Sequence, residues 1–315
     1  MDLFTSIKKK IEGKNIRIVF PEANDKRVYD AAKRLANDGL AIPILLGNEE
    51  IKAFPGSELI NPLEYDKFDE MVKSFLDRRK GKNTEEQARE MLRKGNYFGT
   101  MLVYMGLADG LVSGATQSTA ETVRPALQII KTKPSLSKTF GYFIMVREKE
   151  KYIMGDCAIN PNPTAQELAE FAVESARVAD AYDIDPRVAM LSFSTNGSAK
   201  TDETAEVREA TLIAQKMAPD ILIDGEMQFD AAFVEKVGMS KFPGSQVAGN
   251  ANVFIFPDLN AGNIGYKIAQ RLGGFEAVGP FLAGLNSPVN DLSRGCNSED
   301  VYKTAIVTAA QSLTK

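Results

Sequence analysis

Short apolar runs, each followed by a turn and then by a segment of helical periodicity, recur along almost the whole chain, and that alternation decides the fold class. Residues 16–20 (IRIVF) form the first run, closed by Pro21 and the turn pair Asn24-Asp25. The following KRVYDAAKRLANDG places Val28, Ala31, Ala32 and Leu35 on one face, and Gly39 ends it. Ile42–Leu46 predicts a second strand, a charged helical stretch lies near 64–79, and Thr84 with Gln87 marks another helix start. Residues 110–114 predict a strand, and Ser118 with Glu121 opens a helix running to about Lys131. Beyond KTKPSLSKTFG come two β-rich runs, YFIMV and KYIMGDCAI, and then the alternation resumes. Strands are expected at 188–193, 221–224 and 253–256; helices start near Thr164, Asp202 and Phe229 and span 261–272 and 299–313. Apolar strands separated by amphipathic helices predict an α/β fold of parallel sheets covered on both faces. The Pro/Ser/Lys-rich connection near 131–139 is the expected domain boundary. Too few strands precede it for a complete domain, so the last helix is expected to return, giving domains 1–136 with 284–315 and 137–283.

Composition limits the chemistry. The chain has 315 residues, 44% hydrophobic and 25% charged, enough for two domains with a sizeable core. It contains no histidine, which excludes Ser-His-Asp and Cys-His catalysis and any His-containing metal site. Acid–base work falls to carboxylates, Lys, Tyr, Cys or the substrate. Lys+Arg of 38 against Asp+Glu of 42 gives a net charge of −4, so nucleic acid is not an expected partner. Cys157 and Cys296 cannot make a four-thiolate zinc site or a disulfide framework, which predicts a reducing, cytoplasmic setting. No export leader and no long apolar run is evident, so no membrane association is expected.

Neither G-x-x-x-x-G-K-[ST] nor a G-x-G-x-x-G following a strand is present, which counts against P-loop and Rossmann nucleotide sites. Four polar segments fall where strands end and helices begin. SGATQSTAETVRPALQ offers Ser118, Thr119 and backbone N–H groups at a helix start, with Arg124 two turns in, an arrangement suited to phosphate and equally to a capped core helix. LSFSTNGSAK carries Ser192, Ser194, Thr195 and Ser198, which suit a ligand-facing turn and equally an ordinary polar loop. PDLNAGNIGYK suits close backbone approach by a ligand or by the other domain. The fourth, NSPVNDLSRGCNSED, holds Ser293, Arg294 and Asp300 in a stretch too polar for a core. Asp300 reads either as a capping partner of Asn297 or as the base that a His-free enzyme needs. Cys296, without a histidine partner, reads as a bystander.

The stretches GLVSGATQSTAETVRPALQIIKT, RVAMLSFSTNGSAK, GEMQFDAAF, PDLNAGNIGYKIAQRL and PVNDLSRGC, in this order and spacing, resemble the phosphate acetyltransferase (phosphotransacetylase) family. The resemblance implies two three-layer α/β/α domains with a cleft between them, similar to isocitrate and isopropylmalate dehydrogenases, in a homodimer. It implies reversible acetyl transfer, acetyl-CoA plus phosphate giving acetyl phosphate plus CoA, with CoA as substrate, no cofactor and no metal. A longer acyl group such as butyryl is the alternative; an NAD(P)-linked decarboxylating dehydrogenase and a non-catalytic acetyl-CoA-binding module are more distant ones. By motif position, Ser293, Arg294 and Asp300 are implied as catalytic. Arg124 and Arg78 (with Arg79 adjacent) are implied to hold substrate, joining Ser118 and Thr119. A thiol of pKa about 8.5 is only about 3% ionised at pH 7, so a base is useful. Full prior proton transfer to an ordinary aspartyl carboxylate is uphill by about 6 kcal/mol, which favours transfer concerted with attack.

Overall fold

The structure, a computed structural model, describes residues 3–313. The chain divides into two compact units, one made of Phe4–Thr132 with the segment from Leu285 onward, the other Lys133–Gly284. The first unit holds α1 (Leu3–Ile11), β1 (Arg17–Phe20), α2 (Lys26–Asn37), β2 (Ile42–Leu46), β3 (Glu58–Ile60) and α3 (Phe68–Arg79). It continues with α4 (Glu85–Leu92), α5 (Gly95–Tyr104), β4 (Gly110–Ser113) and α6 (Thr119–Pro125). The second holds β5 (Phe140–Arg147), β6 (Glu150–Gly155), α7 (Ala165–Ala181), β7 (Arg187–Leu191), α8 (Asp202–Met217) and β8 (Leu222–Met227). Then come α9 (Phe229–Phe233), α10 (Glu235–Lys241), β9 (Val253–Ile255), α11 (Leu259–Arg271) and β10 (Glu276–Ala283). The chain returns to the first unit with β11 (Val289–Asp291) and α12 (Ser298–Ser312). The α/β class expected from the alternation is the class observed.

The first sheet has the order β11-β4-β1-β2-β3 and is parallel throughout. Because side chains alternate across a strand, neighbours on β11 serve opposite faces. The Asn290 amide reaches α12, donating to Thr308 Oγ1 at 2.8 Å and Gln311 Oε1 at 2.6 Å. The next residue, Asp291, accepts from Thr119 of α6. The stripe Val28, Ala31, Ala32 and Leu35 is buried as its spacing predicts. α1, absent from the sequence reading, buries Leu3, Ile7 and Ile11 at four-residue spacing.

The second sheet departs from the parallel expectation. Its order is β10-β5-β6-β9-β7-β8, and β10, β5 and β6 pair antiparallel. Only Glu148 and Lys149 separate β5 from β6, with Glu148 at φ +54°, and a two-residue turn leaves no room for a crossover helix. β10 escapes the sequence reading because Gly279-Pro280 interrupts it; as an edge strand it tolerates the proline, and its register shifts there. The connection after Thr132 is strapped to α7 of the same unit by three buried acids. Lys133 pairs with Glu174 at 2.8 Å, Ser137 donates its N–H and hydroxyl to Glu170 at 2.7 and 2.5 Å, and Lys138 pairs with Glu167 at 2.8 Å. Among the described residues no helix is long and apolar enough to cross a membrane.

The glycines of PDLNAGNIGYK make close packing contacts within the second unit. A Cβ on Gly262 would lie 2.1 Å from the Asp156 carbonyl oxygen, and one on Gly265 would lie 2.9 Å from the Phe256 ring. Gly262→Ala is therefore expected to destabilise the fold by about 1–3 kcal/mol through overpacking, although alanine is the better helix former by about 1 kcal/mol. Urea unfolding checks this, and an unchanged or raised midpoint would refute the contact.

Candidate active site

In the first sheet the chain leaves β1 toward β2 on one side, while β4 lies on the other, so the carboxyl ends of β1 and β4 flank the topological switch point. The turn after β4 presents three successive backbone N–H groups, the kind of nest that takes a phosphate in many α/β proteins. Here the nest is filled from within. Glu22, 3% exposed, accepts from the N–H groups of Gly114 (2.6 Å), Ala115 (3.0 Å) and Thr116 (2.7 Å), and from the hydroxyls of Thr116 (2.6 Å) and Ser113 (3.1 Å). The two helix-start hydroxyls are also committed. Ser118 donates to Glu121 at 2.8 Å in the expected capping box, and Thr119 donates to Asp291 at 2.6 Å. Burial pushes the Asp291 carboxyl above its usual range, with the Thr119 bond acting against the shift.

Beyond Asp291 the chain turns through Ser293–Cys296 into α12. The Cys296 N–H donates to the Ser293 carbonyl at 2.9 Å, and the Gly295 N–H to Ser293 Oγ at 3.2 Å, which leaves the hydroxyl proton available. Arg294 is exposed, and its guanidinium forms no hydrogen bond or ion pair among the described residues. Asp300 and Asn297 make a capping box: Asp300 Oδ2 accepts from the Asn297 N–H at 2.9 Å, and the Asp300 N–H donates to Asn297 Oδ1 at 3.0 Å. The capping reading of Asp300 is the one observed; it uses one carboxylate oxygen and leaves Oδ1 without a hydrogen bond among the described residues. Cys296 is buried, and burial first, then Asp300, Asp25 and Glu22 over the opposing Arg27, keep its sulfur a thiol.

The Ser293–Cys296 turn is held from below by Arg27 at the start of α2. Its guanidinium donates to the carbonyls of Arg294 (2.9 Å), Cys296 (2.8 Å) and Ala115 (2.9 Å), and forks onto Asp25 at 3.0 and 2.8 Å. Those side-chain bonds hold the Asp25 carboxyl below its usual range.

The remaining candidates sit elsewhere in the same unit. The helix expected to about Lys131 is continuous to Ile130 but widens: after Pro125, which lacks an N–H, α6 passes into a π-helical turn at residues 126–130 in which the Lys131 N–H reaches the Ala126 carbonyl at 3.0 Å. Arg78 donates to the carbonyls left open there, Ile129 at 2.5 Å and Ile130 at 2.8 Å, and lies over the Tyr104 ring. Arg79 bonds Asn83 at 3.0 Å. Burial raises the Tyr97 phenol, and the guanidiniums of Arg124 and Arg79 oppose that shift. Arg124 is exposed and, with Lys94, Asn96, Tyr97 and Gln117, lines a cavity of about 360 Å³. A cavity of about 840 Å³ is lined by residues between Pro21 and Arg93 and contains none of the candidates.

A family model described as phosphate acetyl/butaryl transferase matches residues 2–309. The chain belongs to the phosphate acetyl/butaryl transferase family. It is 59% identical over 321 residues to the phosphate acetyltransferase of Bacillus subtilis, covering 99% of both chains. Among solved structures it is similar to a phosphotransacetylase from Streptococcus pyogenes, with 59% identity, a TM-score of 0.97 and coverage of 99% and 98%. A weaker likeness reaches a Salmonella typhimurium protein described as a 4-hydroxythreonine-4-phosphate dehydrogenase. There a TM-score of 0.52 at 13% identity, over 95% of this chain and 99% of that one, shows a shared fold alone.

In this phosphate acetyl/butaryl transferase the residues that sequence reasoning missed are the ones that hold the loops. Glu22, Arg27 and Asp291 were legible only as an acid after a strand, a helix-start cation and part of a polar turn. In the second unit the Ser/Thr loop after β7 is organised by Glu226, 1% exposed, which accepts from Ser194 (2.9 Å), Gly197 N–H (2.8 Å) and Arg208 (3.0 Å). Among the described residues no three carboxylate or thiol groups gather as a metal ion would require. Glu22→Gln turns an amide N–H₂ toward donors and is expected to cost about 1.5–3 kcal/mol of stability, read from the urea midpoint. A midpoint equal to wild type would show that the nest does not depend on the carboxylate.

Proposed function

We propose that this chain transfers an acetyl group reversibly between CoA and phosphate, acetyl-CoA plus phosphate giving acetyl phosphate plus CoA, within a ternary complex. The observation that carries the reading is the turn after β11. Its backbone is pinned, while Arg294, the Ser293 hydroxyl proton and Asp300 Oδ1 remain uncommitted. The 59% identity to a named phosphate acetyltransferase supports acetyl over a longer acyl group.

In the direction of acetyl-CoA synthesis, the CoA sulfur attacks the acetyl carbonyl as its proton passes to Asp300. The C–S bond forms, the electron pair moves onto the carbonyl oxygen, and its return breaks the C–O bond to phosphate. Ser293 donates to the developing oxyanion, an effect of roughly 3–4 kcal/mol for a well-placed donor. Arg294 holds the phosphate through paired N–H bonds and lowers the charge on the leaving group. Arg124, with Lys94 beside it, takes a further phosphate group of substrate. Arg78, with two donors already on carbonyls, contributes charge more than hydrogen bonds. Ser118 and Thr119, their protons committed, shape the loop rather than donate to an anion. The scheme uses CoA as a substrate and calls on no cofactor or metal.

Arg294→Ala is expected to lower kcat/KM at least tenfold in both directions, at least about 1.4 kcal/mol of transition-state stabilisation. A smaller loss would reject its role. In the same assays Asp300→Asn is expected to lose activity, and a rate unchanged across roughly pH 6–9 would remove it as the base.

We also propose that the protein acts as a cytoplasmic homodimer. Two free cysteines, both buried, suit a reducing compartment. On α11, Ile264, Ile268 and Leu272 form an apolar stripe at four-residue spacing, 57%, 52% and 85% exposed, which suits the same stripe of a second copy. Light scattering is expected to give twice the 34.4 kDa chain mass, falling to one chain mass for Ile268→Lys with Leu272→Glu. A dimer that survives both substitutions would place the interface elsewhere.

A further inference from the structure

Arg27 touches none of the groups assigned to the chemistry, yet all five N–H donors of its guanidinium are engaged, on three separate segments of the first unit. One Nη1 donor takes the Arg294 carbonyl (2.9 Å) and the other the Cys296 carbonyl (2.8 Å). Nη2 takes the Ala115 carbonyl (2.9 Å) and Asp25 Oδ2 (2.8 Å), and Nε takes Asp25 Oδ1 (3.0 Å). Asp25 is itself fixed as the N-cap of α2, accepting the Arg27 N–H at 2.8 Å. A side chain rooted in one helix start thus ties the turn after β11 to the turn after β4, which Glu22 holds in place.

We propose that Arg27 is a positioning residue for acyl transfer: it sets the backbone from which Ser293 and Arg294 project and the entry into α12 that carries Asp300. This rests on the assignment of Ser293, Arg294 and Asp300 as the reacting groups. Three features support it. The bonds go to carbonyls on either side of the turn, so they restrain its peptide planes rather than one side chain. The planar fork matches acceptors that lie in several directions, which a lysine ammonium, with three donors on a flexible stem, cannot reproduce. The bidentate ion pair with Asp25 fixes the plane of the guanidinium. A turn freed by even about 1 Å costs a reaction of this kind roughly 100-fold in rate, because nucleophile, oxyanion donor and phosphate must be aligned together.

The test uses the full-length enzyme and steady-state kinetics with acetyl-CoA and phosphate. Arg27→Gln is expected to lower kcat roughly 100-fold while KM for acetyl-CoA stays within about threefold, and Arg27→Lys is expected not to restore it. Combined with Ser293→Ala, Arg27→Gln is expected to lose little beyond the worse single variant, because both act through the same turn. Circular dichroism and the urea midpoint establish the folded fraction. If Arg27→Gln does not fold, Asp25→Asn, which removes the charged anchor and keeps the three carbonyl bonds, is expected to lower kcat about tenfold with the same shared effect. The proposal is overturned if the rate loss equals the unfolded fraction, if Lys restores kcat, or if the losses with Ser293→Ala multiply. Arg294→Ala, run alongside, separates the two levels. Lost activity there with an unaffected Arg27→Gln rejects the positioning role alone, and retained activity in Arg294→Ala rejects the site assignment beneath it.

Discussion

The first unit is organised by a carboxylate placed where a ligand's phosphate would be expected. A parallel sheet ends in turns whose N–H groups have no strand partner, and at the switch point those donors converge. Glu22 meets them directly, with five bonds to the turn after β4 and its neighbouring hydroxyls. The site is therefore held together before any substrate arrives. The N–H groups of Gly114, Ala115 and Thr116 are thereby already taken by a carboxylate of the chain itself.

The same device recurs in the second unit. Asp156, 2% exposed, accepts from the N–H groups of Gly141, Ala158, Ile159 and Asn160. Glu226 gathers the turn after β7; burial works to raise its pKa, but the Arg208 and Gly197 bonds prevail and hold it low. Glu226 remains charged because those bonds replace the water it has lost.

On this scaffold backbone and side chains divide the work. Carbonyls and N–H groups of residues 293–297 make the structural bonds, to Arg27, to one another and to one oxygen of Asp300. The groups left over are a guanidinium, a hydroxyl proton and a second carboxylate oxygen, the ones on which the proposed acyl transfer calls in a chain without histidine. The thiol of Cys296, though adjacent, is kept protonated by its burial.

Local pattern alone determined the alternation of strands and helices, the buried stripe of α2, the capping boxes at Thr84, Ser118 and Asn297, and the loops worth inspecting. These are settled by residues within a turn or two of each other, so periodicity and cap chemistry suffice. The antiparallel half of the second sheet, the edge strand around Gly279-Pro280, the strand β11 that the returning segment adds beside β4 and the π-turn after Pro125 were not legible in that way. Nor were Glu22 and Arg27, whose partners lie 94 and 269 residues away. A charged side chain acquires its role from whichever donors or carbonyls the fold brings within 3 Å of it, and only the closed tertiary structure decides which those are.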